Sequence, residues 1–512
     1  MPASRSGIAL LVVVSAVLHT AALPPWGFAT LAWVALVPFF AVVERLSPRG
    51  AAGAGLLWGV AAHWGQAVWI LPAMADYYQQ PLWFAGLFGV VSSLVFRGLP
   101  YALFAAVAAH LTRGRRGAGR SVLVALTWVA VEFLRARGPT GDPWLLLGYA
   151  LTPHPLLLQA ADAGGVYLLS FVVALVNAAV AECAPPLVRR PAGRALGAAA
   201  AAVGALGLYG AWRLATPLPA EPAVPVAIVQ GNVDLGAQWK AEHYGAGLQA
   251  YLDLSRAAAA RARPQILVWP ESAVTFFLAR EPRFLAPVQA MLRDTGSELV
   301  TGAPHLEDAD PALPRYFNSA FAIDAGGVRA RYDKERLLPF AEYFPLRFID
   351  LLRRRFDRVR AFTPGAAATL LPTRLGPTAV VICFEAVFPE LVRARMRAGA
   401  VALVNLSNDA WLGSGSGPAQ HLAMVVPRAV ENRTWVVRAT TTGISAVIDP
   451  FGRVREQTSP STAAVLEAAI VPLRVDTLYE RWGDWFAWLC AGLVAGAFIG
   501  STGRGRGARA AA

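Results

Sequence analysis

The stretch Thr378-Ala-Val-Val-Ile-Cys383-Phe384-Glu385 decides the fold predicted for the second half of the chain. Its first five residues are β-branched or small and apolar, which is typical of a buried strand. A cysteine follows where side chains emerge from the strand's end into a cleft. We expect Cys383 to be a nucleophile, because a deprotonated thiol attacks carbonyl carbons readily. The alternative is a small apolar core residue, the usual role of a lone buried cysteine.

Composition indicates a membrane protein. Of 512 residues, 56% are hydrophobic, and the mean hydropathy is +0.45. Average soluble proteins have about 45–50% apolar residues. The net charge of +13 comes from arginines in short loops between apolar stretches. That pattern favours orientation in a bilayer over nucleic-acid binding. The seven histidines show no metal-ligand spacing, so we expect neither a metal nor a cofactor.

Eight apolar stretches approach the roughly 20 residues that a helix needs to cross a bilayer. They are residues 8–22, 28–44, 52–73, 82–111, 121–136, 160–183, 195–214 and 482–501. The first, which follows Arg5, could alone be a signal peptide, but the apolar stretches directly after it favour a retained helix. Arg97 interrupts 82–111 and predicts either a polar cavity or a break in the helix. Glu132 and Arg135 stand three residues apart on one helix, so we expect them to pair.

Loop charges predict the orientation. With a cytoplasmic N-terminus, every inside loop carries arginine, whereas the outside loops 23–27 and 74–81 carry neither Lys nor Arg. Residues 1–214 are therefore predicted to form a seven-helix bundle. Residues 215–480 form an exported domain, 481–501 return the chain through the membrane, and 502–512 form a basic cytoplasmic tail.

Residues 215–480 alternate short apolar strands with helical stretches, which is typical of an α/β fold with a substantial sheet. The predicted strands are 225–230, 265–269, 298–302, 319–324, 328–332, 378–382, 400–405, 434–439 and 444–449, and the predicted helices are 241–262, 281–294, 388–397 and 418–432. Residues 340–361 mix aromatic, aliphatic and arginine side chains. They are either an amphipathic arm on a membrane surface or an ordinary helix with a basic face.

Two more strand ends carry groups that would activate a thiol. Glu271 follows the predicted strand 265–269 and could accept the thiol proton if burial raises its pKa. Lys334 follows strand 328–332 and could stabilise a thiolate and then an oxyanion. Lysine occurs only at two positions in this arginine-rich chain, Lys240 and Lys334. The alternatives are a helix-capping role for Glu271 and a solvated turn for Lys334.

The triad Glu271, Lys334 and Cys383, in this order and at these strand ends, resembles that of the nitrilase superfamily. The membrane spans around it resemble the membrane-embedded branch of that superfamily, the apolipoprotein N-acyltransferases. Family-like segments are Glu132-Phe-Leu-Arg135, Gly141-Asp-Pro-Trp144, Val229-Gln-Gly-Asn232, Val268-Trp-Pro-Glu-Ser272, Tyr332-Asp-Lys-Glu335, Pro339-Phe-Ala-Glu-Tyr343, Cys383-Phe-Glu385, Asn405-Leu-Ser-Asn-Asp-Ala-Trp411 and Arg438-Ala-Thr-Thr-Thr-Gly-Ile-Ser445.

The resemblance implies a nitrilase-like αββα sandwich inserted in an eight-helix bundle of a bacterial inner membrane. It implies that Cys383 takes an acyl chain from a phospholipid, typically phosphatidylethanolamine, as a thioester. The α-amine of a diacylglyceryl-modified cysteine on an apolipoprotein then attacks that thioester. Glu271 would be the base and Lys334 the charge stabiliser. Glu342, Glu385 and Phe384 would support them, and Trp239, Tyr343, Asn408 and Trp411 would contact substrate. The family often has Tyr where this chain has Phe384.

Two other functions stay open on the sequence. A membrane-anchored nitrilase-like amidase would use water as the acceptor, and the triad alone does not separate it from a transferase. A transporter or receptor with an exported binding domain would need no nucleophile. The many spans favour a lipid substrate.

Overall fold

A computed structural model describes residues 4–138, 141–183, 192–233, 247–308, 314–344, 361–366 and 369–510. The chain divides into two compact units. The first comprises Met1–Leu71, Pro81–Thr216 and Trp482–Ala512, and the second comprises Pro72–Gln80 and Pro217–Arg481. The short segment Pro72–Gln80 thus leaves the first unit and belongs to the second.

The first unit is helical. Its helices are α1 (Arg5–Ala22), α2 (Val37–Arg45), α3 (Pro48–Gln66), α4 (Leu82–Ser93), α5 (Leu99–Thr112), α6 (Ala118–Arg137), α7 (Ala161–Ala181) and α8 (Ala192–Ala215), with a last helix at Trp485–Ala510. A π-helical turn, Leu94–Gly98, joins α4 to α5, and 3₁₀ turns lie at Ala29–Trp33 and Leu147–Leu151. Short helices lie at Pro155–Leu158 and, at the junction of the two units, at Leu478–Trp482.

Four stretches among the described residues are long and apolar enough to cross a membrane: Arg5–Ala22, Leu82–Thr112, Ala161–Ala181 and Gly193–Ala215. A shorter apolar helix covers Trp485–Ser501. The predicted span 28–44 is not one helix, because a 3₁₀ turn and α2 divide it. Arg97 lies in the π-helical turn, so the helix is locally irregular there but continues through this residue without the predicted break.

Glu132 and Arg135 were predicted to pair, but the main contact of each side chain is with another residue. A guanidinium nitrogen of Arg135 lies 2.7 Å from Asp142, and Arg97 lies 3.8 Å from the same carboxylate. Glu132 instead accepts a hydrogen bond from the backbone N–H of Leu147 at 2.7 Å. The loop after α6 folds back on the helix end and brings these partners closer than the next helical turn does.

The second unit contains two six-stranded sheets. The strands are β1 (Val224–Gln230), β2 (Ile266–Val268), β3 (Glu298–Glu307), β4 (Arg315–Asp324), β5 (Gly327–Asp333), β6 (Leu371–Thr373), β7 (Gly376–Ile382), β8 (Ala402–Ser407), β9 (Val436–Thr440), β10 (Ala446–Ile448), β11 (Val454–Gln457) and β12 (Ala464–Ile470). Their orders are β12-β1-β2-β3-β4-β5 and β11-β10-β9-β8-β7-β6. The central pairs β1–β2–β3 and β7–β8–β9 are parallel, and the outer pairs are antiparallel.

The two sheets pack face to face between helices. Alternate residues of a strand point to opposite faces, so in β1 Val226 and Ile228 join the core between the sheets, while Ala227 and Val229 face a second core. That second core contains side chains of α9 (Leu248–Ala262) and α10 (Pro282–Thr295). The helices α11 (Pro389–Arg397) and α12 (Ser416–Asn432) contact the other sheet and the turn after β7. The predicted αββα layering is confirmed.

Most predicted elements of this domain are confirmed to within a few residues. The three strands that the prediction omits, β6, β11 and β12, all pair antiparallel with a neighbour. The predicted helix 241–262 is described from Leu248 onward. Residues 345–360 of the predicted arm 340–361 lie outside the described residues.

Candidate active site

Three strand ends position the three predicted catalytic side chains. Glu271 lies in the turn after β2, Lys334 directly follows β5, and Cys383 directly follows β7. Cys383 opens the 3₁₀ turn Cys383–Val387 with a φ of 52°, in the left-handed region that few residues with side chains adopt. Such strain persists only where surrounding contacts hold it, and it is common at functional sites.

The turn that holds Glu271 depends on a close approach of two backbones. Gly302 of β3 donates its N–H to the carbonyl of Pro270 at 3.1 Å. A Cβ atom at Gly302 would lie 2.6 Å from the Cα of Glu271. Because a carbon that close cannot be accommodated without moving backbone, a glycine is required there.

Lys334 is buried between two carboxylates. Its Nζ lies 2.9 Å from Glu342 and 3.5 Å from Glu271. Burial by itself would lower the pKa of Lys334, but the charges of Glu342 and Glu271 outweigh that effect and raise it above its ordinary value. The ammonium is therefore charged and held in one place, as a charge stabiliser requires.

Three amide groups orient the carboxylates. The side-chain nitrogen of Asn318, in β4, donates to Glu271 at 2.7 Å and to Glu342 at 2.6 Å. The backbone N–H of Asn408 donates to the second oxygen of Glu271 at 2.7 Å, and that of Leu338 donates to Glu342 at 2.7 Å. Hydrogen-bond donors other than Lys334 thus fix the orientation of both carboxylate groups.

The protonation state of the site follows from burial and from these charges. Burial raises the pKa of the Cys383 thiol well above its ordinary value; the negative charge of Glu271 adds to the rise, and Lys334 opposes it. Burial also raises the pKa of Glu271, with a further contribution from Glu342 and an opposing one from Lys334. A carboxylate with a raised pKa is the stronger base, so the arrangement suits transfer of the thiol proton to Glu271.

Glu385 joins the nucleophile's turn to the end of β5. One of its oxygens accepts hydrogen bonds from the hydroxyl of Tyr332 at 2.8 Å and from the backbone N–H groups of Glu335 and Arg336 at 2.8 and 3.0 Å. The other oxygen accepts from the backbone N–H of Ile382 at 2.8 Å. This fully buried carboxylate therefore couples the position of Cys383 to that of Lys334.

A buried charged cluster lies at the end of β8, close to Cys383. Asp409 accepts hydrogen bonds from Arg438 at 2.6 Å and from the hydroxyl of Ser407 at 2.7 Å, and it lies 3.0 Å from the ring of His421. Burial would raise the pKa of Asp409, but Arg438 and His421 outweigh it and hold that pKa well below its usual range. The Ser407 hydroxyl also interacts with the Cys383 thiol and favours its thiolate.

The remaining predicted residues lie at different distances from this centre. Asn408 is in direct contact with Glu271 through its backbone. Tyr343, next to Glu342, is partly buried, as is Trp411 in the 3₁₀ turn Ala410–Leu412. The ring of Phe384 packs edge-on against Phe388, with centroids 4.9 Å apart. Trp239 lies outside the described residues. The substrate contacts expected of these side chains stay predictions.

Sequence reasoning missed Asn318 and the cluster around Asp409. Asn318 stands in β4 just before the apolar run Ala320–Ile323, and a buried amide at that position was the available signal. Arg438 offers a similar one, because it is a fully buried arginine within Val436–Thr440. Among the residues that the structure describes, no group of three or more His, Cys, Asp or Glu side chains could hold a metal ion.

Comparisons with known proteins agree across both units. Residues 15–179 match the apolipoprotein N-acyltransferase N-terminal domain, and residues 225–479 match the carbon-nitrogen hydrolase family. The apolipoprotein N-acyltransferase of Geobacter metallireducens is 38% identical over 498 residues, covering 96% of this chain and 94% of that protein. The apolipoprotein N-acyltransferase of Azotobacter vinelandii is 35% identical over 504 residues, covering 95% of this chain and 93% of that protein. A solved structure, Saccharomyces cerevisiae Nit3 of the nitrilase superfamily, is 21% identical, covers 49% of this chain and 91% of its own, and has a TM-score of 0.38.

Proposed function

The chain belongs to the apolipoprotein N-acyltransferase family, and on that premise we propose that it acylates lipoproteins through a thioester on Cys383. The acyl donor is a membrane glycerophospholipid, with phosphatidylethanolamine as the expected headgroup. The acceptor is the α-amine of an S-diacylglyceryl cysteine at the N-terminus of an apolipoprotein. The observation that carries the mechanism is the arrangement of Lys334 between Glu271 and Glu342 beside the buried thiol.

In the first step the Cys383 sulfur attacks the ester carbon of the phospholipid, and the thiol proton passes to Glu271. Because the thiol has a raised pKa, it is protonated at rest, and proton transfer accompanies attack. Lys334 balances the negative charge on the carbonyl oxygen of the tetrahedral intermediate. The bond to the glycerol oxygen then breaks, Glu271 returns the proton to that oxygen, and a lysophospholipid leaves.

The second step uses the same groups in the opposite direction. The lipoprotein amine attacks the thioester carbon, and Glu271 accepts a proton from the amine. The carbon–sulfur bond breaks, and Cys383 regains a proton as the amide product leaves. Glu342 keeps Lys334 in place throughout, and Glu385 holds the turn of Cys383 against the end of β5.

The membrane arrangement is part of the proposal. The predicted eight spans, at the boundaries given by the sequence, would anchor residues 215–480 on the periplasmic side of a bacterial inner membrane, with both termini in the cytoplasm. Arginine in the inside loops and its absence from the outside loops 23–27 and 74–81 support this orientation. A donor that never leaves the bilayer requires a site anchored at its surface.

The test is to incubate the purified protein with a phospholipid labelled in its acyl chain. We expect a covalent label that hydroxylamine releases, because hydroxylamine cleaves thioesters, and no label on Cys383→Ala. Adding a diacylated lipopeptide should move the label to that peptide. An unlabelled wild-type protein, or equal labelling of Cys383→Ala, would refute the thioester. Label released to water with none on the lipopeptide would identify a hydrolase.

A further inference from the structure

Arg395 is a fully buried arginine on α11, and no step of the proposed reaction uses it. Its helix follows the turn that Cys383 opens. The guanidinium stays charged in proteins, and a buried charge is costly unless it is paired and hydrogen-bonded. Its partners therefore show what the burial of this charge achieves.

Three groups hold the guanidinium of Arg395. One nitrogen donates to the carbonyl of Leu391, one turn earlier on α11, at 2.8 Å. Another donates to the hydroxyl of Tyr332 and lies 2.8 Å from the carboxylate of Glu335. The guanidinium carbon also lies 4.9 Å from the centre of the Tyr332 ring, within the range of a cation–π contact. Tyr332 and Glu335 stand on either side of Lys334 in the chain, so Arg395 links α11 to the segment that carries this lysine.

The donors around Tyr332 fix the direction of its hydroxyl. Arg395 can only donate, and the backbone N–H of Glu335 also approaches the hydroxyl oxygen, at 3.4 Å. The one proton of the hydroxyl is therefore left for Glu385, whose carboxylate accepts it at 2.8 Å. Burial and the charge of Glu385 raise the pKa of Tyr332, with Arg395 opposing the rise, so the hydroxyl keeps that proton. Arg395, Tyr332 and Glu385 thus form a chain of hydrogen bonds with a single direction.

This chain ends at the turn of the nucleophile. One oxygen of Glu385 accepts from Tyr332 and from the backbone N–H of Glu335, both at 2.8 Å. The other oxygen accepts from the backbone N–H of Ile382, the residue before Cys383, at 2.8 Å. These partners are all donors. An ionised carboxylate suits them, because a protonated one would direct an O–H group at one of these donors.

A buried carboxylate also needs a positive charge nearby. Lys334 lies between Glu271 and Glu342, which balance its charge. Arg395 supplies a second cation, separated from Glu385 by one hydroxyl group. The position of the nucleophile's turn therefore depends on a charge carried by α11.

We propose that Arg395 is a positioning residue for thioester formation. Through the hydroxyl of Tyr332 it holds Glu385 in the orientation that fixes the end of β7, and with it the sulfur of Cys383. This role rests on the proposed thioester mechanism. It makes α11 part of the structure that sets the geometry of the nucleophile.

The test measures Cys383 acylation by excess labelled phospholipid in a single turnover of the full-length protein. Arg395→Met should lower the rate constant at saturating phospholipid on the order of 10²-fold, the effect of a small misplacement of a reacting group, with little change in the half-saturating concentration. Arg395→Lys keeps the charge with fewer donors and should recover part of the rate. Arg397→Met, an exposed change on the same helix, is the matched control and should acylate at the wild-type rate.

The amplitude of labelling separates misfolding from misplacement. Misfolded molecules form no thioester and lower the amplitude, whereas folded molecules keep their own rate constant. A wild-type rate constant in Arg395→Met, at any amplitude, would overturn the proposal. If that variant does not fold, Tyr332→Phe interrupts the chain while the pair of Arg395 with Glu335 remains, and a wild-type rate constant there would overturn it too. A wild-type protein that formed no thioester would refute the proposed function itself, which is a distinguishable result.

Discussion

At the scale of single residues, Asn318 affects the pKa of Glu271, the proposed base. Its side chain donates to Glu271 and to Glu342, and so keeps the two carboxylates on either side of Lys334. A hydrogen bond to the ionised form lowers a carboxyl pKa, and Asn318 lowers that of Glu271 against the larger, opposite effect of burial. The balance leaves a carboxylate whose pKa is raised and which is therefore a stronger base than an exposed glutamate.

The pH dependence of Cys383 acylation should report this balance. Glu271 is active when ionised, so the rate should fall as the pH drops through the pKa of Glu271. That pKa lies above the ordinary glutamate value of about 4.3 because burial raises it. In Asn318→Leu the ionised form loses a donor, and the acid limb should move to higher pH by about one unit.

Gln249→Leu is the control, because Gln249 is an exposed amide on α9, and its acid limb should match that of the wild type. An acid limb in Asn318→Leu that coincides with the wild-type limb would show that Glu271 is not the group that titrates. Single-turnover acylation with labelled phospholipid over a pH series measures all three proteins.

At the scale of elements, the site is built where strands end and must be held in register. Glu385 does this for β5 and β7, since its two oxygens accept four hydrogen bonds from the residues around those strand ends. In Glu385→Gln the amide nitrogen faces either the N–H of Ile382 or the donors on the opposite side. A donor facing a buried donor costs about 1–3 kcal/mol.

We therefore expect Glu385→Gln to lower the free energy of unfolding by about that amount and to slow thioester formation, although Glu271 and Lys334 are unchanged. Thermal or denaturant unfolding measures the first effect, and hydroxylamine-sensitive label the second. The control is Glu467→Gln on β12, where an exposed pair with Arg261 contributes little. Wild-type acylation by Glu385→Gln would mean that the two strand ends are not coupled through this side chain.

Strands could be predicted from the sequence where their side chains are buried. The run Thr378–Ile382 is fully buried and wholly apolar or β-branched, so its pattern is unambiguous. In contrast, β11 (Val454–Gln457) is exposed at all four positions and carries no apolar pattern. Backbone pairing with β10 makes it a strand, and pairing leaves no trace in local composition. The same reason explains the omission of the three-residue β6.

The site was predictable to the extent that its residues stand at strand ends. Glu271, Lys334 and Cys383 each follow an apolar run, and these positions, together with the resemblance to the nitrilase superfamily, predicted that they meet. Asn318 does not follow this rule. Asn318 lies within a strand, so only the three-dimensional fold relates it to Glu271.

At the scale of the whole molecule, the distribution of arginine predicts which loops face the cytoplasm. The loop at residues 113–116 is arginine-rich and exposed, whereas the predicted outside loops 23–27 and 74–81 lack Lys and Arg and the one after residue 136 carries Arg137. If the positive-inside rule holds for this chain, residues 113–116 face the cytoplasm and residues 215–480 face the periplasm. Lipoprotein acceptors would then meet Cys383 after export.

Single cysteines can establish the orientation directly. In a chain whose three native cysteines are replaced by alanine, Arg115→Cys and Ala262→Cys each place a thiol at an exposed position. A maleimide that cannot cross the inner membrane should label the Ala262→Cys protein in spheroplasts. It should label the Arg115→Cys protein only after lysis, because the bilayer shields that loop. The reverse pattern, or labelling of both proteins before lysis, would contradict the predicted orientation and with it the periplasmic site. The hydroxylamine-sensitive thioester would still test the chemistry of Cys383 independently.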